Sequence, residues 1–159
     1  MSTLQIRPAQ AQDVGTLLRL IKELAAFERE PDAVKTTEAD LLRDGFGERP
    51  AFEALLAERG SEAVGMALFF PNYSTWEGRQ GLYLEDLYVS EGERGLGTGR
   101  AILAELAAVC HERGYTRLDL SVLDWNETAY GFYRHLGMRE QTDWKGYRLE
   151  GEALAQLRA

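Results

Sequence analysis

The sequence predicts an α/β domain built on a mixed, mostly antiparallel sheet. Three observations predict it. The apolar runs AFEALLAE, AVGMALFFPNY and GLYLEDLYVS follow one another, split only by ERGSE and STWEGRQ, which is the pattern of an antiparallel meander. Stretches with apolar residues at helical spacing stand before and after that meander. Gly95, Gly97 and Gly99, at alternate positions in VSEGERGLGTGRAILAEL, mark a strand-to-helix junction.

In chain order, LQIRPA predicts a short strand. Asp13 is placed to cap a helix whose Leu17, Leu20, Ile21 and Leu24 share one face. A second helix starts near Thr37, contains Leu41 and Leu42, and is stopped by DGFGERP, whose glycines and proline break helices. The three meander strands follow. After the glycines, Ile102, Leu103, Leu106 and Cys110 line a helix that Gly114 ends. TRLDLSVLDW is a further strand. Asn126 caps a short helix carrying Ala129, Phe132, Tyr133 and Leu136 on one side, and WKGYRLEG is a last strand. The expectation is therefore six to seven strands flanked by about four helices.

Composition restricts the function classes. A chain of 159 residues, 45% hydrophobic and 28% charged, has the size and apolar content of one globular domain, residues 1–159. No apolar run approaches a membrane span, and MSTLQIRPAQAQDV lacks a signal-peptide core, so a soluble, cytoplasmic protein is expected. The single cysteine, Cys110, cannot form an internal disulfide. Cys110, His111 and His135 lack metal-ligand spacing, so no metal is expected; the histidines read as surface or cap residues and Cys110 as core. A formal net charge of -8 disfavours nucleic-acid and acidic-membrane partners and favours a cationic small molecule.

Glycines at a helix start point to phosphate. Unpaired amides and the positive end of the helix dipole bind anions there, and glycine lets the ligand reach the main chain. A Walker loop is excluded, because Thr98-Gly99-Arg100-Ala101 lacks the lysine and the following hydroxyl. The dinucleotide fingerprint fails because Arg100 stands where its third glycine belongs, and an upstream meander is the wrong topology. A turn that merely needs positive backbone angles stays open on the glycines alone.

Arg94-Gly95-Leu96-Gly97-Thr98-Gly99 fits R-x-x-G-x-G, and IRPAQAQDVGTLLRLIKELAAFE, DGFGERP, NYSTWEGR, LYLEDLYV, VLDWNE and FYRHLGM accompany it in order. With these segments the chain resembles the GNAT acyltransferases, and among them the diamine (spermidine/spermine) N-acetyltransferases, most like the thialysine branch. The resemblance covers nearly the whole chain. It implies a sheet splayed centrally at an acetyl-CoA site and a donor pyrophosphate held by Arg94, Gly95, Leu96, Gly97, Thr98, Gly99 and Arg100. It also implies that the backbone of Leu87, Tyr88 and Val89 pairs with the pantetheine arm. The residues themselves hint at a distorted strand, since adjacent Glu85 and Asp86 on a regular strand would send one carboxylate into a core. A bulge or a functional pocket removes that conflict.

An ammonium of lysine type, with a reference pKa of about 10.4, must lose a proton before it attacks a thioester. The resemblance assigns that proton to Glu85, through a water, with Asp86 holding the cation. An amide near Leu87 is the expected oxyanion donor. Tyr133 matches the acid that protonates the leaving thiolate, although a tyrosine on an apolar helix stripe is more often core. Glu28 and Trp76 match positions around the amine, and Asn126 one near both cofactor and substrate. Trp144 matches a substrate-side tryptophan, with a core or interface role as its alternative. Two positions depart from the polyamine enzymes. Phe27 replaces a tyrosine, and Ser74 replaces an acid that would meet a distal ammonium, which favours a smaller amine such as thialysine. The resemblance further implies a homodimer whose subunits share the substrate pocket. Acetylation of a protein N-terminus or of an antibiotic amine, and a non-catalytic CoA-binding sensor, are the competing readings.

Overall fold

A computed structural model describes residues 2–158. Residues 1 and 159, which the expected single domain includes, lie outside the described residues. The chain divides into two compact units, with the boundary between Ser121 and Val122.

The first unit holds one sheet of five strands in the order β1-β2-β3-β4-β5. These are β1 (Leu4–Pro8), β2 (Glu53–Arg59), β3 (Glu62–Ser74), β4 (Arg79–Val89) and β5 (Leu118–Leu120). The first four pair antiparallel as the meander predicts, and β5 joins β4 in parallel. Helix α1 (Val14–Phe27) precedes β2, as does α2 (Glu38–Phe46), which Thr37 caps by accepting the Asp40 N–H. Helix α3 (Thr98–Arg113) connects β4 to β5. It ends at Gly114, which takes the left-handed conformation at φ 71°.

Both faces of the central strands are covered, so β2 and β3 read as nearly unbroken apolar runs. Leu17, Leu20 and Leu24 of α1 and Leu41 of α2 pack with Leu56, Met66 and Leu68 on one face. On the other, α3 lies over Ala57 and Gly65, where a side chain at position 65 would meet Ile102. Ile102 and Leu106 are fully buried.

The second unit holds α4 (Glu127–His135) and α5 (Gly151–Gln156). Asn126 caps α4 by accepting the Ala129 N–H at 3.2 Å, as its position predicts. The expected apolar side of α4 is half-buried.

Several expectations need correction. Among the described residues there are five strands, not six to seven, and five α-helices, not about four. WKGYRLEG forms no strand: Trp144, Tyr147 and Leu149 are exposed, and a strand whose amides and carbonyls meet no neighbouring strand is not a stable element. Only Leu118–Leu120 of TRLDLSVLDW pairs in the sheet, because its partner β4 is matched only from Leu82 to Leu84. Asp13 does not cap α1. Its carboxylate accepts from Arg7 and from the Gln10 N–H, closing the preceding turn instead. Cys110 is half-buried rather than core, while His111 and His135 are exposed. Among the described residues no helix is long and apolar enough to cross a membrane, and no group of three or more His, Cys, Asp and Glu is placed to hold a metal ion.

Candidate active site

The register of β4 against β3 decides where its two carboxylates point. Phe69 pairs with Leu84 and Leu68 pairs with Asp86, leaving Glu85 as an extra, bulged residue. Paired residues share a face. Leu84 therefore faces α3 with Phe69, whereas Asp86 and Tyr88 turn to the α1 face with Leu68 and Met66. Without the bulge Asp86 would follow Leu84 onto the other face. Glu85 itself is exposed. The expected distortion thus sits where adjacent carboxylates demand it.

On the α1 face Asp86 meets the end of α1. Burial pushes its carboxyl up to about 6, and the neighbouring charges of Glu85 and Glu28 add to the shift. Burial also raises the Glu28 carboxyl. Glu28 is held in place by an unusual helix end. Arg29 adopts φ 66°, a left-handed conformation more often given to glycine, while the Arg29 and Glu30 amides donate back to Ala26 and Ala25. Three carboxylates from two elements are thereby collected near one another, an arrangement whose charge suits a cation.

The sheet opens beside them. Pairing of β4 with β5 stops at Leu84 and Leu120, so from Glu85 onward no described strand pairs with that edge of β4. Leu87 and Val89 are half-buried there, whereas the Tyr88 ring is buried, with its hydroxyl donating to Glu23 at 3.4 Å. On this stretch the Val89 carbonyl accepts the Arg94 Nε–H at 3.1 Å.

The glycine segment follows directly. Gly95 and Gly97 have φ 80° and 86°, and a β-carbon at either would meet nothing within 4 Å. The backbone needs glycine for its angles, and the space above it is open. The first bond of α3 runs from the Ala101 N–H to the Gly97 carbonyl, which leaves the preceding amides of the helix start without helical partners. Leu96 and Arg100 are exposed, and Gly99 is half-buried. The arrangement fits a pyrophosphate. Arg94 reaches back from this loop, its guanidinium 4.4 Å from the centroid of the Phe27 ring.

The remaining expected residues lie on other segments of the chain. Ser74 and Trp76 lie at the β3–β4 hairpin, where the Ser74 hydroxyl accepts the Glu77 N–H at 3.0 Å and Trp76 is 84% exposed. Asn126, Tyr133 and Trp144 belong to the second unit. There Tyr133 is half-buried with its ring 5.2 Å from that of Phe132, and Trp144 is exposed. Sequence reasoning missed the ion pair of half-buried Arg59 with buried Glu93 under the glycine loop. No local spacing announces a contact between residues so far apart, and only the pairing of β2 in the sheet brings Arg59 there.

Comparison with known proteins agrees with this fold. Residues 17–138 match the model of the acetyltransferase (GNAT) family. The chain is 43% identical to a thialysine N-epsilon-acetyltransferase of Sus scrofa, over 99% of this chain and 98% of that one. It is 39% identical to spermidine/spermine N(1)-acetyltransferase-like protein 1 of Homo sapiens, over 99% of this chain but 24% of that protein. An integron cassette protein from the mobile metagenome of V. cholerae has a solved structure that superposes with a TM-score of 0.83 at 25% identity, covering 99% of this chain and 98% of the other. The chain belongs to the GNAT family and is an N-acetyltransferase.

Proposed function

We propose that this enzyme transfers an acetyl group from acetyl-CoA to a primary amine of a small cationic substrate in the cytoplasm, a thialysine-like amino acid before a diamine or polyamine. Residues 1–159 serve as one acetyltransferase domain in this reading. The observation that carries it is the clustering of Glu28, Glu85 and Asp86 at the β4 bulge, beside a glycine loop fit for pyrophosphate. The relatives named above support the amine class.

Acetyl-CoA supplies the activated thioester. The amides from Gly95 to Arg100, with Arg94, hold its pyrophosphate, and the open edge of β4 from Leu87 to Val89 lies along its arm. Asp86 and Glu28 attract the ammonium. Glu85, exposed on the bulge, takes the proton through water, so that a neutral nitrogen attacks. As the C–S bond breaks, the attacking nitrogen gives up its second proton to water and the Tyr133 hydroxyl gives a proton to the departing sulfur, while Asn126 and Trp144 contribute at the substrate side.

The reading includes a homodimer. Ser74 pairs with Arg79, and the stretch from Arg79 to Glu85 covers about 20 Å at roughly 3.3 Å per residue. That separation from Glu85 supports a pocket to which Ser74 and Trp76 are lent by a second copy.

The test is acetyl-CoA turnover against thialysine, lysine, spermidine, spermine, putrescine, an aminoglycoside and a peptide N-terminus, with sedimentation of the same sample. Highest kcat/KM on thialysine by a dimer is expected. Turnover confined to the peptide or the aminoglycoside would overturn the substrate class, and absence of turnover would favour a CoA-binding sensor.

A further inference from the structure

Glu93 is a charged side chain buried beneath the glycine loop, 7% exposed, in the short turn between β4 and that loop. One of its oxygens, Oε1, accepts the Arg59 Nε–H at 2.8 Å, a second N–H from the same guanidinium, and the Thr98 hydroxyl at 2.8 Å. Arg59 closes β2 and also donates to the Ser2 carbonyl, which ties the group to the edge of the sheet. Thr98 is the first residue of α3 and is 1% exposed. The chain entering the loop and the chain leaving it are thus drawn onto a single oxygen atom.

Between those two anchors stand Gly95 and Gly97, whose backbone loses much freedom on ordering. A loop that must be ordered by its ligand binds more weakly than one already ordered. A buried charge pair need not add net stability over apolar packing, but its directional bonds impose a geometry that apolar contacts do not.

We propose that Glu93 is a positioning residue for donor binding: by holding Arg59 and Thr98 on one oxygen it fixes the glycine loop with its amides set for pyrophosphate before the donor arrives. This deepens the acetyl-CoA reading and rests on it.

The experiment is calorimetric titration of the full chain with coenzyme A and, separately, with pantetheine, which has the arm without the pyrophosphate. Thr98→Val removes the hydroxyl at constant shape and should weaken coenzyme A about tenfold, the scale of a lost hydrogen bond to a charged group. Thr98→Ser should restore affinity to within about twofold. Pantetheine affinity should not move in either variant. Arg59→Lys, which keeps the charge but loses the fork, is the second variant and should cost coenzyme A about threefold. A Thr98→Val protein that binds coenzyme A like the wild type, or that loses pantetheine by the same factor, overturns the positioning role alone. A wild-type protein that does not bind coenzyme A overturns the donor reading as well.

Discussion

The guanidinium of Arg94 stacks 4.4 Å from the centroid of Phe27, so the arginine of the glycine motif packs on the residue that precedes Glu28. The glycine loop and the end of α1 that carries Glu28 share this contact. Phe27→Leu should therefore raise KM for acetyl-CoA as well as for the amine. A cation–π contact is worth about 0.5–1 kcal/mol at an exposed site, or roughly twofold to fivefold. Phe27→Tyr keeps the ring face and should leave the acetyl-CoA KM unchanged. Steady-state kinetics in both substrates checks this, and a Phe27→Leu effect on the amine alone would remove the coupling.

Glu85→Gln should lower kcat by roughly 100-fold or more at neutral pH, the scale of a lost general base. Coenzyme A affinity should barely change, because Glu85 lies on the bulge and not on the glycine loop. Raising the pH should recover part of the rate, since neutral amine then forms without help. Normal turnover at pH 7 would move the base elsewhere.

Asp86 gives a prediction in which stability and activity move apart. Its carboxyl lies at about 6 against an ordinary 3.8, pushed up by burial first and then by Glu85 and Glu28. A raised value means that the folded state prefers the protonated acid, so this stabilisation is present at low pH and lost as pH rises through about 6. At pH 7.5 the ionised group costs up to about 3 kcal/mol. Asp86→Asn should accordingly raise Tm by roughly 4 °C or more at pH 7.5, with the gain shrinking toward pH 4, while kcat/KM for the amine falls. Wild-type kcat/KM for the amine should rise through pH 6 as Asp86 ionises, and that rise should vanish in the variant. A lowered Tm at pH 7.5 would contradict the electrostatic account.

Tyr133→Phe keeps the ring that stands beside Phe132 and removes only the hydroxyl. Transfer should slow by about 100-fold or more, the scale of general-acid loss, with Tm and coenzyme A affinity held. Equal losses of stability and rate would return Tyr133 to a packing role.

Ser74→Asp tests the amine class. Aspartate can accept the Glu77 N–H as the serine hydroxyl does, so the hairpin should survive. An exposed charge pair is worth about 0.2–1 kcal/mol, and partial desolvation beside Trp76 would add to it. Spermidine kcat/KM should rise by a few-fold to roughly tenfold. The gain should fade as salt screens the pair over about 10 Å at 0.1 M. Wild-type preference for spermidine over thialysine, or unchanged polyamine kinetics at low salt, would refute the reading of position 74.

What could be read without the fold was local. The meander, the helix start near Thr37, the helix cap at Asn126 and the helix stop at Gly114 depend on neighbours a few residues away, and each stands in the structure as its residues demand. The conflict posed by adjacent Glu85 and Asp86 was legible for the same reason. Its resolution was not. Only the pairing of Leu68 with Asp86 turns that carboxylate toward Glu28, because register is a property of two strands together. Asp13 does not cap α1 because Arg7, bonded in turn to Glu58 across the sheet, competes for its oxygens. WKGYRLEG carries the alternation of a strand, but alternation supplies no partner for the backbone. The clasp of Glu93 by Arg59 and Thr98 has no sequence signal at all, since β2 must be laid in the sheet before its last residue, Arg59, can reach the glycine loop. Local patterns follow from the chemistry of neighbouring residues, whereas long-range charge pairs depend on where the packed sheet brings distant residues together.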